Sequence, residues 1–402
     1  MSETSNFSPS AVHGIRIGCA DAGIRYRNRD DLVLVEIAAG SVTAATFTSN
    51  RFRAAPVLVA QEYLDQQQPR YLVINAGNAN AGTGSDGVAA ARKVCGFIAA
   101  HGGCNDNEVL PFSTGVIGQP LPVERIEAAV PAVYEELAID GWRRASRAIM
   151  TTDTVPKTTT VGFVADGKPY VVSGIAKGAG MICPNMATML AFLATDAPLS
   201  AAQVRECIES AVAQTFNCIT VDGDTSTNDA AVLIATGLSN PDGPRQLTEL
   251  QPARDAVMRA CMELAHAIIR DAEGASKFIS IEVTGGASEA DCKTVAYTVA
   301  HSPLVKTALY ASDPNWGRIL AAVGRAPIKV LDVGKVTVAF GEQRILTNGE
   351  PDPEYHESLG VAALQGSDID IRIDLGLGKA SSTVWTCDLS EQYVRINADY
   401  RS

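Results

Sequence analysis

The sequence predicts a mixed α/β (α+β) fold, and three patterns support this class. Short runs rich in β-branched residues, among them residues 32–37 and 42–47, are separated by turns that contain Gly and Asp, as strands of a sheet are. Residues 201–216 and 257–268 instead carry apolar side chains at spacings of three or four, which is the period of a helix. Residues 369–375 alternate strictly between apolar and charged side chains, which indicates a strand with one buried face.

The first half of the chain is predicted to alternate strands with helices. We expect a buried strand at residues 70–75, followed by a helix, and another strand at residues 109–112. This second strand breaks at Gly115, where backbone N–H groups could point into a cleft. Residues 123–149 have helical spacing, and we expect Pro131 to interrupt the helix because proline cannot donate a backbone hydrogen bond.

The second half begins with a helix whose first residues, Ser200 and Gln203, form a capping-box pattern. From residue 278 onward, β-rich runs predict a mainly antiparallel region with a polar outer face. Strands are expected at residues 217–221, 280–283, 294–299, 328–340 and 369–375, and late helices at residues 303–310 and 316–323. We place a boundary near residue 285, so that residues 1–285 form the core and residues 286–402 form a β-rich α/β module.

Composition excludes several classes of function. The 402-residue chain has a formal net charge of −12, which argues against nucleic-acid binding. It has no apolar run of 18 residues and its first dozen residues are polar, so we expect no membrane span and a cytoplasmic location. Nine cysteines form no C-x-x-C pair and five histidines are scattered, which indicates reduced core thiols and no zinc site.

Two motifs admit other functions. Gly82, Gly84 and Gly87 spell G-x-G-x-x-G between a predicted strand and helix, but the loop from Asn75 is too long for the tight turn of a dinucleotide site. We favour a small-residue loop near an active site. The aspartate-rich residues 222–229 could indicate phosphoryl transfer or calcium binding, although their order fits neither pattern. A network of side-chain to backbone hydrogen bonds is the interpretation that we prefer.

The most informative stretch is the loop at residues 177–190, which contains Gly and Pro between two apolar segments. The hydroxyl of Thr188 could attack the carbonyl of Ala187 and cut the chain, leaving Thr188 with a free α-amino group. With a pKa of about 7.7–8.0, this amine would act as general base for the hydroxyl on the same residue. Thr114 and Gly115 are the candidate oxyanion donors. The alternative is a core segment in which Thr188 packs by its methyl group.

The same loop resembles the cleavage and nucleophile motif of the ornithine acetyltransferase (glutamate N-acetyltransferase) family of arginine biosynthesis. Its residues are Lys-Gly-Ala-Gly-Met-Ile-Cys-Pro-Asn-Met-Ala-Thr-Met-Leu. Further blocks resemble this family in the same order along the chain. They are Ser-Thr-Gly-Val-Ile-Gly at 113–118, Met-Thr-Thr-Asp-Thr at 150–154, the aspartate-rich residues 216–229, Asp-Pro-Asn-Trp-Gly-Arg at 313–318 and Asn-Ala-Asp-Tyr-Arg-Ser at 397–402.

The resemblance implies a ping-pong acetyltransferase. The chain would be cut between Ala187 and Thr188, and Thr188 would take the acetyl group of N2-acetylornithine, release ornithine and pass the acetyl group to glutamate. Thr114 and Gly115 would stabilise the oxyanion. The family's substrate contacts fall here on Thr151, Lys177, Thr188, Glu273, Asn397 and Ser402. Lys177 would pair with an amino-acid α-carboxylate, and Glu273 with the side-chain ammonium of ornithine.

The resemblance also implies an architecture and a set of partners. The fold would be an α/β/β/α sandwich of the self-cleaving threonine-nucleophile type, with a smaller C-terminal module whose tail returns to the active site. The self-derived α and β chains would assemble as α2β2, without cofactor or metal. Acetyl-CoA is a second donor in bifunctional members, and no motif separates these from monofunctional ones. The chain departs from the family in Cys183, which we interpret as a spectator thiol, and in Ser402, where threonine is common.

Two rival functions follow from the same residues. A self-cleaving aminopeptidase or amidase would use the same nucleophile, with water in place of glutamate. A non-enzymatic nucleotide-binding module would use the loop from Gly82 to Gly87. A transferase differs from the hydrolase in that it must hold a second amino acid and exclude water.

Overall fold

The computed structural model describes residues 9–183, 189–239 and 246–399. Three sheets flanked by helices confirm the predicted mixed α/β class. The described residues group into two compact units. The first comprises residues 9–181, 189–217, 225–239 and 246–268, and the second comprises residues 182–183, 218–224 and 269–399.

The first unit contains two sheets and the helices around them. Its strands are β1 (Ile15–Ala20), β2 (Leu32–Ile37), β3 (Val42–Phe47), β4 (Tyr71–Asn78), β5 (Val109–Val116), β6 (Lys157–Ala165), β7 (Lys168–Lys177), β8 (Leu190–Thr195) and β9 (Ala230–Ala235). Its helices are α1 (Ala55–Gln66), α2 (Gly84–Gly102), α3 (Val123–Glu135), α4 (Trp142–Ala148), α5 (Ala201–Gln214) and α6 (Gln251–Arg270), the last of which ends in the second unit.

The two sheets of the first unit pack face to face. One has the strand order β1-β2-β4-β5 and the other β3-β9-β8-β7-β6. Phe112 of the first sheet and Phe192 of the second meet edge to face, with ring centroids 5.1 Å apart, inside a single apolar cluster. Helices α2 and α3 pack on the first sheet, and α5 packs on β3 and β9 of the second. This is the α/β/β/α layer order that the resemblance implied.

The N-cap of α5 matches the prediction, whereas the course of α3 does not. Ser200 caps α5 as predicted, because its hydroxyl accepts a hydrogen bond from the Gln203 N–H. Pro131 does not interrupt α3, contrary to the prediction. The proline lies on the exposed side while Val130 and Val133 are buried against the core, so burial of that face outweighs the hydrogen bond that proline cannot donate.

The second unit is built on one sheet. Its strands are β10 (Phe278–Gly286), β11 (Thr337–Phe340), β12 (Gln343–Thr347), β13 (Glu350–Pro351), β14 (Asp368–Asp374) and β15 (Ala380–Cys387). Its helices are α7 (Glu289–Ala300), α8 (Pro303–Tyr310), α9 (Trp316–Gly324), α10 (Glu357–Ala363) and α11 (Glu391–Ala398). The strand order is β13-β12-β11-β14-β10-β15, and only the β10–β14 pair is parallel within the described residues.

Several predictions for the second unit are confirmed, and three are wrong in whole or in part. The strand predicted at residues 328–340 is confined to β11, because a 3-10 turn at Val333–Lys335, in which the Asp332 side chain accepts the Gly334 N–H, precedes it. Strand β14 alternates buried and exposed residues as expected. Residues 294–299 form part of helix α7, because Cys292, Val295, Ala296 and Val299 make one buried helical face that a β-propensity argument overlooks. Residues 217–221 contain no strand but begin with a 3-10 turn at Phe216–Cys218.

The boundary predicted near residue 285 falls inside β10, which lies entirely in the second unit. The second unit resumes at Ile269, near the end of α6. Among the described residues, no helix is both long enough and apolar enough to span a bilayer.

Candidate active site

The predicted site residues fall in both units and in part outside the described chain. Thr114 and Gly115 lie at the end of β5, Thr151 follows α4 and Lys177 ends β7, all in the first unit. Glu273 follows α6 and Asn397 lies in α11, in the second unit. Ala187, Thr188 and Ser402 lie outside the described residues, so the cleavage site and nucleophile stay predictions.

Gly115 occupies a position that no other residue could take without rearrangement. Its φ is 133°, in the region that favours glycine, and a Cβ atom there would lie 2.2 Å from the carbonyl carbon of Gly77. The β4–β5 ladder also changes register between Gly77 and Asn78. The strand therefore breaks where the sequence predicted, and the backbone beside Thr114 departs from regular pairing.

Buried hydrogen bonds hold the backbone that leads into this break. The Asn228 side chain donates to the carbonyl oxygens of Ser113 at 2.9 Å and Ala79 at 2.7 Å. Ser113 in turn donates from its hydroxyl to Asn75 at 2.6 Å. Because side chains alternate along a strand, Thr114 projects from the face that carries Phe112 and packs on the second sheet. Asn228 thus positions the candidate oxyanion donors, which gives part of the aspartate-rich block a structural role.

Asp153 joins two of the predicted substrate-binding segments. Its Oδ2 accepts the backbone N–H of Thr151 at 3.0 Å, and its Oδ1 accepts the backbone N–H of Gly178 at 2.7 Å. Gly178 directly follows Lys177. The ammonium group of Lys157 also donates to Asp153 Oδ1, at 2.7 Å. One carboxylate therefore places Thr151 and the end of β7 in a common cluster.

The charges of this cluster are removed from solvent. The side chains of Asp153 and Lys157 are 0% and 1% exposed, and Lys177 is 4% exposed. Burial alone would raise the pKa of Asp153, but the positive charges of Lys177 and Lys157 and the hydrogen bond from Gly178 hold the pKa well below its ordinary value. Asp153 is therefore an ionised carboxylate at neutral pH.

A second buried carboxyl group contacts the residue after Thr188. Asp229 is 1% exposed, and its Oδ1 accepts the Met189 N–H at 2.9 Å. Burial raises the pKa of Asp229 well above its ordinary value, and the Met189 hydrogen bond, the charge of Lys177 and the hydroxyls of Thr48 and Ser226 offset part of that rise. Asp229 anchors the start of the segment that follows the predicted cleavage site.

In the second unit, two predicted site residues contact each other. The Asn397 side chain donates a hydrogen bond to Glu273 Oε2 at 2.8 Å, and Glu273 is only 8% exposed. Gly274 beside it has a φ of 69°, and a Cβ atom there would lie 2.5 Å from the backbone nitrogen of Tyr393 in α11. The Ser390 hydroxyl donates to the Gly274 carbonyl at 2.5 Å. Helix α11 is thus packed closely against the segment that carries Glu273.

The aspartate-rich loop forms a turn network, as we preferred. Oδ1 of Asp222 accepts the backbone N–H groups of Ile182 at 3.0 Å and Asp224 at 3.2 Å. Within the described ranges, no cluster of three or more His, Cys, Asp or Glu side chains could hold a metal ion. Asp222 thus accepts hydrogen bonds from backbone groups through Oδ1 and from the Tyr393 hydroxyl through Oδ2, at 3.5 Å.

Cys183 lies beside a histidine of the second unit. Its Sγ is 3.6 Å from Nε2 of His301, and the Thr220 hydroxyl is 3.0 Å from the same nitrogen. Burial and the positive charges of Lys306 and Arg325 lower the pKa of His301, so the imidazole is mainly neutral at pH 7. A neutral imidazole stabilises a thiolate less than an imidazolium does, which supports the interpretation of Cys183 as a spectator.

Hydrogen bonds between its own residues hold the shape of the glycine-rich loop. The Asn80 side chain donates to the Gly87 carbonyl at 2.9 Å, and the Thr83 hydroxyl donates to Asn80 Oδ1 at 2.9 Å. A Cβ atom at Gly87 would lie 1.9 Å from the Thr83 hydroxyl. Gly87 is therefore needed for this internal packing, which weakens the dinucleotide interpretation.

The layered core and its buried lysine–aspartate cluster are those of a mixed α/β protein with a charged interior. A sequence profile described as the ArgJ family matches residues 16–402. The chain belongs to the ArgJ family. A curated relative from Methylococcus capsulatus, named arginine biosynthesis bifunctional protein ArgJ, is 55% identical over 97% of this chain and 96% of its own length.

Two solved structures are similar to parts of the chain. The arginine biosynthesis bifunctional protein ArgJ from Bacillus halodurans is 39% identical, with 52% of this chain and 99% of that chain covered and a TM-score of 0.49. Ornithine acetyltransferase complexed with ornithine, from Mycobacterium tuberculosis, is 33% identical, with 44% and 95% covered and a TM-score of 0.39.

Sequence reasoning missed three residues that organise these clusters. Asp153 and Asn228 lie in the motif blocks that resemble the family, but we assigned them no role from the sequence. We interpreted Asp229 only as part of a turn. The spacing of four between Asp153 and Lys157 predicts an ion pair only on a helix, and here the two residues lie in a loop and at the start of β6. Nothing local signals the contacts of Asn228, because its partners lie 115 and 149 residues away.

Proposed function

We propose that this enzyme of arginine biosynthesis transfers the acetyl group of N2-acetylornithine to glutamate and also acetylates glutamate from acetyl-CoA. Membership of the ArgJ family and the name of the bifunctional relative support both activities. The structural observation that carries the proposal is the buried cluster in which Asp153 joins Thr151 to the segment of Lys177. Such a cluster suits a small amino-acid substrate, whose carboxylate needs a fixed positive charge.

Thr188 is the nucleophile in this proposal. After cleavage of the Ala187–Thr188 bond, the Thr188 hydroxyl attacks the acetyl carbonyl while the new α-amino group accepts the hydroxyl proton. Thr114 and Gly115 stabilise the oxyanion. The bond from the acetyl carbon to ornithine breaks, and ornithine leaves with that proton. The amine of glutamate then attacks the acetyl ester and restores the free hydroxyl.

The remaining residues bind the substrates. Lys177 pairs with the α-carboxylate, and Thr151 contributes a polar contact from the same cluster. Glu273 pairs with the side-chain ammonium of ornithine, and the hydrogen bond from Asn397 orients its carboxylate. Ser402 supplies a hydroxyl. The α2β2 assembly, the lack of a cofactor and the cytoplasmic location stay predictions.

The rival functions are not favoured. A self-cleaving aminopeptidase would share the nucleophile, but the identity of 55% with a bifunctional ArgJ protein extends over nearly the whole chain. The nucleotide-binding module would use only the loop from Gly82 to Gly87, whereas the family match extends over residues 16–402.

The acceptor decides between transferase and hydrolase. Purified enzyme is incubated with N2-acetylornithine, with and without glutamate, and ornithine and N-acetylglutamate are quantified. We expect ornithine release to depend on glutamate and to match N-acetylglutamate formation mole for mole. Equally fast release without glutamate would disprove the transferase. Acetyl-CoA with glutamate is assayed in parallel to test the second donor.

A further inference from the structure

A large open cleft in the first unit is lined by arginines. Its volume is about 970 Å³, at the upper end of the range usual for small-molecule sites. The arginines that line it are Arg29, Arg143, Arg144 and Arg147. Three of these side chains come from α4 and one from the loop before β2. Such a concentration of positive charge is unexpected in a chain of net charge −12.

The charges of these arginines are not all neutralised by carboxylates. Arg144 forms ion pairs with Asp30, at 2.7 Å, and with Glu136. Arg29 instead donates to the carbonyl oxygens of Arg147 and Met150, which carry no net charge. Across the part of the chain that the structure describes, the exposed guanidinium of Arg147 makes no ion pair. Although Asp30 and Asp140 also line the cleft, four arginines against two aspartates leave an excess of positive charge.

The arginine cleft adjoins the cluster assigned to the acetyl donor. Met150 and Thr154 line the cleft, and they flank Thr151 and Asp153 in sequence. A ligand anchored on the arginines would therefore lie beside the Thr151 loop.

The loop that carries Arg29 also lies close to the strands that hold the candidate oxyanion donors. A Cβ atom placed on Gly77 would lie 2.7 Å from the Cβ of Arg25, so this loop passes directly over Gly77. Gly77 is the strand partner of Gly115. The loop that supplies Arg29 thus borders the candidate oxyanion donors as well.

We propose that the arginine cleft binds the phosphate groups of a CoA thioester, whose acetyl end then lies beside the Thr151 loop. This inference rests on the proposed use of acetyl-CoA. Acetylornithine and glutamate have no phosphate groups, whereas CoA has a diphosphate and a 3′-phosphate that suit several guanidinium groups. In the transfer, the C–O bond to Thr188 forms and the thioester C–S bond breaks. The hydroxyl proton passes through the α-amino group to the CoA sulfur.

A second basic pocket provides a matched control. Its volume is about 370 Å³, and it is lined by Arg51, Arg53, the glycine-rich loop at Gly82 and Thr83, and the first residues of α2. No residue of the Thr151 loop lines it. We expect substitutions there to leave the use of acetyl-CoA unchanged.

The kinetic test compares the two donors in one set of variants. In Arg147→Gln and in Arg143→Gln/Arg147→Gln we expect the KM for acetyl-CoA to rise about tenfold or more, since a hydrogen bond to a charged group contributes about 1.5–3 kcal/mol. The KM for N2-acetylornithine should change less than about twofold, and Arg51→Gln/Arg53→Gln should match wild type for both donors. Equal effects on both donors, or a larger effect from the control pair, would overturn the assignment.

A binding measurement tests the cleft without turnover. Calorimetry with desulfo-CoA, 3′-dephospho-desulfo-CoA and ATP is performed on wild type and on Arg147→Gln, after melting curves show that both are folded. We expect desulfo-CoA to bind most tightly and Arg147→Gln to weaken it. Binding of desulfo-CoA by an enzyme that cannot use acetyl-CoA would support the cleft and contradict the second activity. Undetectable binding, equal binding of ATP, or wild-type affinity in Arg147→Gln would overturn the inference.

Discussion

The backbone N–H of Thr151 donates a 3.0 Å hydrogen bond to Asp153 Oδ2. Oδ1 of the same carboxylate accepts hydrogen bonds from the Gly178 N–H and the Lys157 ammonium group. Asp153 therefore connects a loop and two strands through one buried charge. Its loss should affect both the free energy of unfolding and the shape of the substrate cluster.

Asp153→Asn should destabilise the protein by about 3–5 kcal/mol, because it leaves the ammonium of Lys157 buried without its carboxylate. Urea unfolding at pH 7 measures the change. Glu62→Gln is the matched control, since it removes a surface pair with Arg92 that is about half exposed, and it should cost less than about 1 kcal/mol. Equal effects of the two substitutions would show that the buried pair adds no special stability.

The contribution of Asp153 should depend on pH with a defined sign. Its pKa is lower in the folded protein than the ordinary value of 3.8, so the unfolded chain binds the proton first. The stabilisation is complete above pH 3.8 and is lost as the pH falls through the folded value. The difference in unfolding free energy between wild type and Asp153→Asn should be constant from pH 7 to pH 5 and shrink in stronger acid. A difference that grows on acidification would contradict the lowered pKa.

Gly115→Ala should reduce kcat by about 10²–10³, the usual cost of losing one oxyanion donor, because its Cβ atom would collide with the backbone of Gly77. Gly162→Ala is the control, since no atom lies within 4 Å of a Cβ atom placed there. Initial rates with saturating N2-acetylornithine and glutamate measure the effect. A fully active Gly115→Ala variant would remove Gly115 from the oxyanion site.

Self-cleavage should divide the chain into residues 1–187 and 188–402. Denaturing electrophoresis of wild type should show two bands, and mass spectrometry should identify Thr188 as a new N-terminus. Thr188→Ala should give one uncut band, because it lacks the hydroxyl that attacks Ala187, while Thr188→Ser should still be cut. One band from active wild-type enzyme would refute the cleavage.

Glu273→Gln should raise the KM for N2-acetylornithine by about 10–100-fold, as expected for loss of a charged hydrogen-bond partner. Glutamine retains an oxygen that can accept the Asn397 hydrogen bond, so the melting temperature should change little. Glu391→Gln is the control, because that carboxylate is exposed on the helix that carries Asn397. If both variants have wild-type kinetics, Glu273 is not part of the site.

Local patterns in the sequence identify most secondary-structure elements and the family. Strands β2 and β3 occupy the predicted residues because their β-branched runs are bounded by turns, and α8 because its apolar residues repeat at the helical period. The order of the motif blocks along the chain was sufficient to identify the family. Helix α7 shows where local reasoning fails, since its β-branched residues favour a strand until the buried helical face outweighs that preference.

The contacts between these residues form only when distant parts of the chain fold together. The Asn397–Glu273 contact joins residues 124 apart in sequence, and Asn228 reaches residues 115 and 149 positions away. The ionised state of Asp153 likewise depends on Lys177, which is 24 residues later along the chain. Hydrogen bonds and charges of this kind act through space and burial, so no periodicity or spacing along the chain records them.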